Sequence, residues 1–129
     1  MRAVALLLCA TPAMAQEPAP SPDYFVEGVV ASAAAQAVAL ACPTLSVDLG
    51  AAARLSEDVL ARLTADGFDP QNLLARMEDP QPAIAALQDA FLARHGLAEG
   101  APSEVACAAG RTELEEGSAI GALLLEVDG

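Results

Sequence analysis

Steps of three, four, three, four and three residues from Cys107 toward the C-terminus land on Gly110, Leu114, Gly117, Gly121 and Leu124. The same steps from Cys42 toward the N-terminus land on Ala39, Ala35, Ser32, Gly28 and Phe25. Such spacing keeps side chains on one seam of an α-helix. A bond between the two cysteines would then set two helices side by side in opposite directions. It would bring Gly110 near Ala39, Leu114 near Ala35, Gly117 near Ser32, Gly121 near Gly28 and Leu124 near Phe25. Glycine costs a helix up to roughly 1 kcal/mol relative to alanine, and a closer approach of the two backbones offsets that cost. The expected architecture is therefore all-α: a small five-helix bundle whose first and last helices are antiparallel and joined by one disulfide.

Proline and glycine punctuate the rest of the chain in helical fashion. Ser21 and Pro22 open a first helix, which must end near Cys42 because Pro43 disfavours helical geometry in the residue before it. A second helix is expected over about 45–66, with Leu45, Leu49, Ala52, Ser56, Val59 and Leu63 on one face and Gly67 closing it. Asp69 with Pro70 starts a short third helix carrying Leu73, Leu74 and Met77, and Asp79 with Pro80 starts a fourth carrying Ile84, Leu87 and Phe91, closed by Gly96. Ser103 is the expected cap of the last helix. "LAR" recurs at Leu60, Leu74 and Leu92, at unequal intervals that do not make a repeat, and each copy puts an arginine near a helix end where the dipole favours a cation.

The first fifteen residues have a positive start at Arg2, an apolar run from Ala3 to Ala10 and a small-residue ending at Ala15. This is the pattern of a cleavable secretory signal, so the mature chain is expected to begin at Gln16. Its apolar run is shorter than the roughly 20 residues that span a bilayer, so no stable membrane insertion is expected after cleavage. A lipid-bearing Cys9 would want a small residue before it, and Leu8 stands there. Cleavage leaves Cys42 and Cys107, which in an oxidising compartment read as a structural disulfide. Residues 16–23, "QEPAPSPD", read as a proline-rich disordered tether ahead of a single helical domain at 24–129.

Six arginines and no lysine stand against eighteen acids, a formal charge of −12 that loss of Arg2 makes more negative. So acidic a surface repels the phosphates of nucleic acid, and binding to it is not expected. No cofactor site is expected either. The run "EGSAIG" lacks the glycine two residues before the serine that a nucleophile turn needs, and a phosphate loop needs a lysine. Ser118 as a nucleophile would have only His95 as a base, and His95 reads as a last-turn residue meeting terminal carbonyls. Glu113 and Glu116 share a helical face as a candidate acid and base pair, but surface carboxylates of this kind are commonly just solvated. A zinc site would need more His, Cys or carboxylate ligands than come together, and no calcium-loop pattern is present.

The segment Cys107, Gly110, Glu113 and Gly117 to Leu124 has the pattern C..G..E...GSAIG.LL. It resembles an uncharacterised family, a domain of unknown function, of short exported alphaproteobacterial helical proteins. The resemblance implies export and a helical fold and brings no activity or cofactor with it. The expected function is that of a non-enzymatic periplasmic or secreted helical protein, an envelope accessory or protein-interaction module with an unidentified protein partner. The alternative is a small disulfide-stapled periplasmic binding protein or acid-responsive chaperone.

Overall fold

The computed structural model describes residues 17–129. The expected leader at 1–15, Cys9 and the start at Gln16 lie outside them. Five α-helices carry the described chain: α1 (Asp23–Ala41), α2 (Leu49–Ala65), α3 (Leu73–Arg76), α4 (Gln81–His95) and α5 (Ser103–Glu116). They are joined by two short strands, β1 (Leu45–Val47) and β2 (Leu124–Glu126), and a 3-10 turn at Gly121–Leu123. The fold is mostly helical, and the all-α expectation is corrected by this antiparallel pair, in which Ser46 lies opposite Leu125. Leu45 was expected at the start of α2. Instead Pro43 ends α1 and Pro43–Thr44 form a turn closed by the Leu45 N–H on Cys42 O at 3.3 Å, pairing with β2 holds Leu45–Val47 extended, and Asp48 opens α2 by accepting the N–H of Ala51 at 2.9 Å.

Helix α1 packs against α2, α4, α5 and β1, which is why it buries residues on several faces: Val26, Val30, Ala31, Ala34, Ala35 and Val38. Among the described residues it alone is long and apolar enough to cross a membrane by length and composition. Here it is the central element of the fold. Its small side chains let three neighbours approach, and the main core gathers Ala31, Ala34, Ala35, Val38, Leu45, Phe91, Ile120, Leu123 and Leu124 around the Cys42–Cys107 disulfide, whose Cα atoms are 5.0 Å apart. Burying each large aliphatic side chain contributes about 1.5–3 kcal/mol.

The chain before α1 departs from the tether reading. Ala19 pairs in parallel with Met77, donating its N–H to Arg76 at 2.7 Å and accepting that of Glu78 at 2.8 Å. Prolines at 18, 20 and 22 keep the segment extended, and the Ala19 N–H between the first two finds an acceptor at the exit of α3. Asp23 already belongs to α1.

The helix stops at Gly67 and Gly96 take the expected form. Both glycines have positive φ, 88° and 64°, and the next residues, Phe68 and Leu97, return their N–H groups to Leu63 and Leu92. Asp69 caps the N–H groups of Gln71 and Asn72, and Asp79 caps that of Gln81. Ser103 makes no capping bond; Pro102 holds the N-cap position of α5.

The largest correction concerns the last helix, which ends at Glu116 rather than running to Leu124. Gly117 has φ 62° and ψ 34°, and Ser118 returns its N–H to Glu113 at 3.2 Å, a third stop of the same form as Gly67 and Gly96. The seam therefore holds only close to the disulfide. Next to Cys107, Gly110 leaves no room for a side chain, since a Cβ there would lie 2.7 Å from Val38 Cγ1 and collide with Leu45 Cδ1. Contacts thus descend along α1 as they ascend along α5. Gly110 faces Val38 and Leu45 rather than the expected Ala39, Leu114 packs on the cluster that holds Ala35, and beyond Leu114 the expected pairs dissolve. Gly117 is exposed with nothing near it, Leu124 is in β2, and Gly28 faces Val59 of α2, whose Cγ2 would lie 3.2 Å from a Cβ added there, instead of Gly121. Phe25 packs with Val26 and Val30 and with Leu63, Phe68 and Met77, not with Leu124.

Candidate functional site

The end of α4 delivers Arg94 and His95, the last turn of α5 delivers Glu113, and the turn after Gly117 delivers Ser118. These four residues meet around one carboxylate. Glu113 is fully buried, the one buried charged residue of the core. One oxygen, Oε1, accepts from the Arg94 guanidinium and from His95 Nε2 at 2.6 Å, and the other, Oε2, accepts from the Ser118 hydroxyl. An ionised carboxylate only accepts, so His95 carries its proton on Nε2. The Arg94 Nε, 3.3 Å from that same nitrogen, then lies beside an N–H and makes no bond to it. The His95 ring is held from its other side by the edge of Phe91, with centroids 5.0 Å apart.

Burial by itself raises the Glu113 carboxyl. The hydrogen bonds from Ser118 and His95, with the charges of Arg94 and His95, outweigh it and hold the group below the ordinary carboxylate range. The network continues into the backbone. Ser118 Oγ accepts the N–H of Gly121 at 3.0 Å, which commits its own proton to Glu113, and Ala122 donates back to Ser118 O at 2.9 Å. The three-residue return from Ser118 to Gly121 is thereby fastened to the end of α5.

Chemically this is a carboxylate with donors on both oxygens. In a nucleophile triad the imidazole stands between hydroxyl and carboxylate. Here the carboxylate stands between hydroxyl and imidazole, each on a different oxygen, so Ser118 and His95 come to one site without touching as nucleophile and base. His95 meets Glu113 rather than the terminal carbonyls expected for it. Glu116 and Glu115 are exposed, as solvated carboxylates are, while Glu113 is buried, so the candidate carboxylate pair does not form. No group of three or more metal-ligating side chains occurs among the described residues.

Beside the network lies a cleft of about 310 Å³, between α1, α4 and the return, lined by Val30, Ala31, Leu87, Phe91, Arg94 and Ile120 among others. Leu87, expected on one face of the fourth helix with Ile84 and Phe91, is 41% exposed and forms part of its wall. The sequence carried a signal for Glu113 in its three-residue spacing from Gly110, but nothing local marked it as buried, because its donors lie five to nineteen residues away.

The model of a family of unknown function, DUF5333, matches residues 17–125. The chain belongs to that family. The DUF5333 match takes in the Ala19 pairing, both cysteines, the Glu113 network and the start of β2. No curated protein and no solved structure matches the chain.

Proposed function

We propose that this DUF5333 chain is exported and works, without catalysing a reaction, through contacts with other proteins of the envelope. Export is supported by the leader-like residues 1–15 and by a disulfide of the kind that oxidising compartments maintain. The observation that carries the non-catalytic reading is the Glu113 network. Ser118 gives its proton to Glu113 and takes the Gly121 N–H, Glu113 has donors on both oxygens, and His95 spends Nε2 on the same carboxylate. Glu113, Ser118 and His95 are thus engaged in fastening the chain's return after α5. Leu40 and Leu74, 91% and 95% exposed, are large apolar side chains open to contact with a partner.

Photo-crosslinking side chains placed at Leu40 and Leu74 in the full-length protein in its native envelope test this reading. A discrete adduct with one protein is expected. Adducts absent from both positions, or recovery of the protein in the cytoplasm, would overturn it. A second reading, a small disulfide-stapled binding protein, is favoured by the 310 Å³ cleft, which falls within the range of small-molecule sites.

A further inference from the structure

The cleft beside Glu113 has opposite charges at its two ends. Val26 and Val30 of α1 pack with Ile84 of α4, while Ala31 and Ala34 share a cluster with Phe91, so the two helices pass the cleft in the same direction. Glu27 lies one turn before Val30 and therefore toward the Leu87 end; Arg94, one turn after Phe91, lies at the other. Seven residues of helix from Leu87 to Arg94 rise about 10 Å. Both residues line the cleft, so a ligand that pairs with each must extend along it.

Arg94 and Glu27 are the two charged groups of the lining left with capacity to bind. Arg94 is half-exposed and gives one nitrogen to Glu113; a guanidinium has five N–H donors, so others remain, and the Glu113 bond orients the group at the cleft's end. Glu27 is exposed and has no ion-pair partner among the described residues. Between them the wall is apolar: Val30, Ala31, Leu87, Phe91 and Ile120.

A volume of about 310 Å³ sits at the small end of ligand sites, which suits a molecule of a few heavy-atom groups rather than a lipid. Arg94 at one end offers free N–H donors to a carboxylate and Glu27 at the other offers an acceptor to an ammonium, so a zwitterion is the ligand that engages both ends of the cleft. Its charges must stand several ångströms apart. A single α-amino acid holds its ammonium and carboxylate too close together, whereas an extended chain advances about 3.3–3.6 Å per residue.

Resting on the binding-protein reading, we propose that this cleft binds a short aliphatic peptide of about two residues with both termini free. Its ammonium faces Glu27, its carboxylate faces Arg94, and its side chains lie on Leu87, Phe91 and Ile120.

The test is titration of the disulfide-bonded protein with alanyl-leucine, following the backbone amide NMR signals of Ala31, Phe91 and Ile120. N-acetyl-alanyl-leucine, alanyl-leucine amide and free leucine serve as comparison probes. Saturable shifts with alanyl-leucine are expected, with affinity at least fivefold weaker for each blocked peptide and for leucine. Glu27→Gln, at an exposed position, should bring alanyl-leucine down to the affinity of the acetylated peptide. Ala90→Phe, also exposed and lining the cleft, should abolish binding by filling it. If the blocked peptides or leucine bind as well as alanyl-leucine, the peptide assignment is overturned while the cleft remains a binding site. If no probe gives saturable shifts, or Ala90→Phe leaves them unchanged, the binding reading falls with it.

Discussion

Gly121 lies against the backbone carbonyl of Glu113 so closely that a single added methyl group would collide with it, and would also come 2.9 Å from Leu114 N. The chain's return after α5 is thus pressed onto the last turn of that helix, backbone to backbone. The Ser118 hydroxyl, between Glu113 and Gly121, fastens the same junction through hydrogen bonds.

Three glycines of one segment should therefore respond differently to alanine. Gly121→Ala must move backbone and is expected to destabilise by about 3 kcal/mol, at the upper end of overpacking costs. Gly110→Ala meets the flexible ends of Leu45 and Val38 and should cost about 1–2 kcal/mol. Gly117→Ala has open space around it, and only its positive φ is strained, for about 1 kcal/mol, which Gly117→Asn should partly restore. Denaturant unfolding of the three variants gives the order directly; a Gly121→Ala protein as stable as the parent would contradict the close approach.

Replacing Glu113 by glutamine keeps the shape but removes the charge that the donors Arg94, His95 and Ser118 share. Breaking a buried ionic network by altering one member costs about 3 kcal/mol or more. Because folding holds this carboxyl below its ordinary value of 4.5, the stability it contributes is fully present above that pH and is lost as pH falls through the folded value. Unfolding free energy of the parent is expected to decline over that acidic window, and the difference between parent and Glu113→Gln should shrink with it. A constant difference from pH 7 to about pH 3 would show that Glu113 is not the group responsible.

Tyr24 is the chain's single tyrosine, and no tryptophan obscures its absorbance. Burial raises its phenol, the hydrogen bond to Asp66 at 2.6 Å and that residue's charge raise it further, and the Arg62 guanidinium over the ring lowers it, leaving it at about 12. A spectrophotometric titration should therefore place the phenolate transition near 12 instead of 10. The stability linked to this group is present below 10 and is lost as pH rises toward the folded value. Asp66→Asn is expected to move the transition back toward 10; no movement would exclude the hydrogen bond as a cause.

Reduction of Cys42–Cys107, a separation of 65 residues, should lower stability by about 4 kcal/mol on the chain-entropy argument. Comparing melting temperature with and without reductant, or in Cys42→Ala/Cys107→Ala, measures it. Equal melting temperatures would mean that the α1 and α5 contacts hold the unreduced geometry unaided.

What the sequence by itself determined about this protein is local or pairwise by elimination. Asp79 with Pro80 opens α4, Asp69 with Pro70 opens only the turn that leads into α3 at Leu73, and Gly67 and Gly96 stop helices, because those effects act within one turn and leave a mark in the order of residues. With Cys9 assigned to the expected leader, Cys42 and Cys107 could pair only with each other. The tertiary structure decided what remained ambiguous. At Gly67 and Gly96 the following residue is apolar, the usual companion of such a stop, whereas Gly117 is followed by a serine and sits in a three-four periodicity that reads equally well as a continuing seam. Its conformation follows from Ser118 finding Glu113, and the burial of Glu113 follows from α4 bringing Arg94 and His95 against it from eighteen and nineteen residues away. The proline-rich segment likewise reads as free until Arg76 and Glu78 offer it backbone partners. A local pattern records which conformations each residue favours; which one is adopted where two are nearly equal depends on contacts that exist only once distant elements have packed.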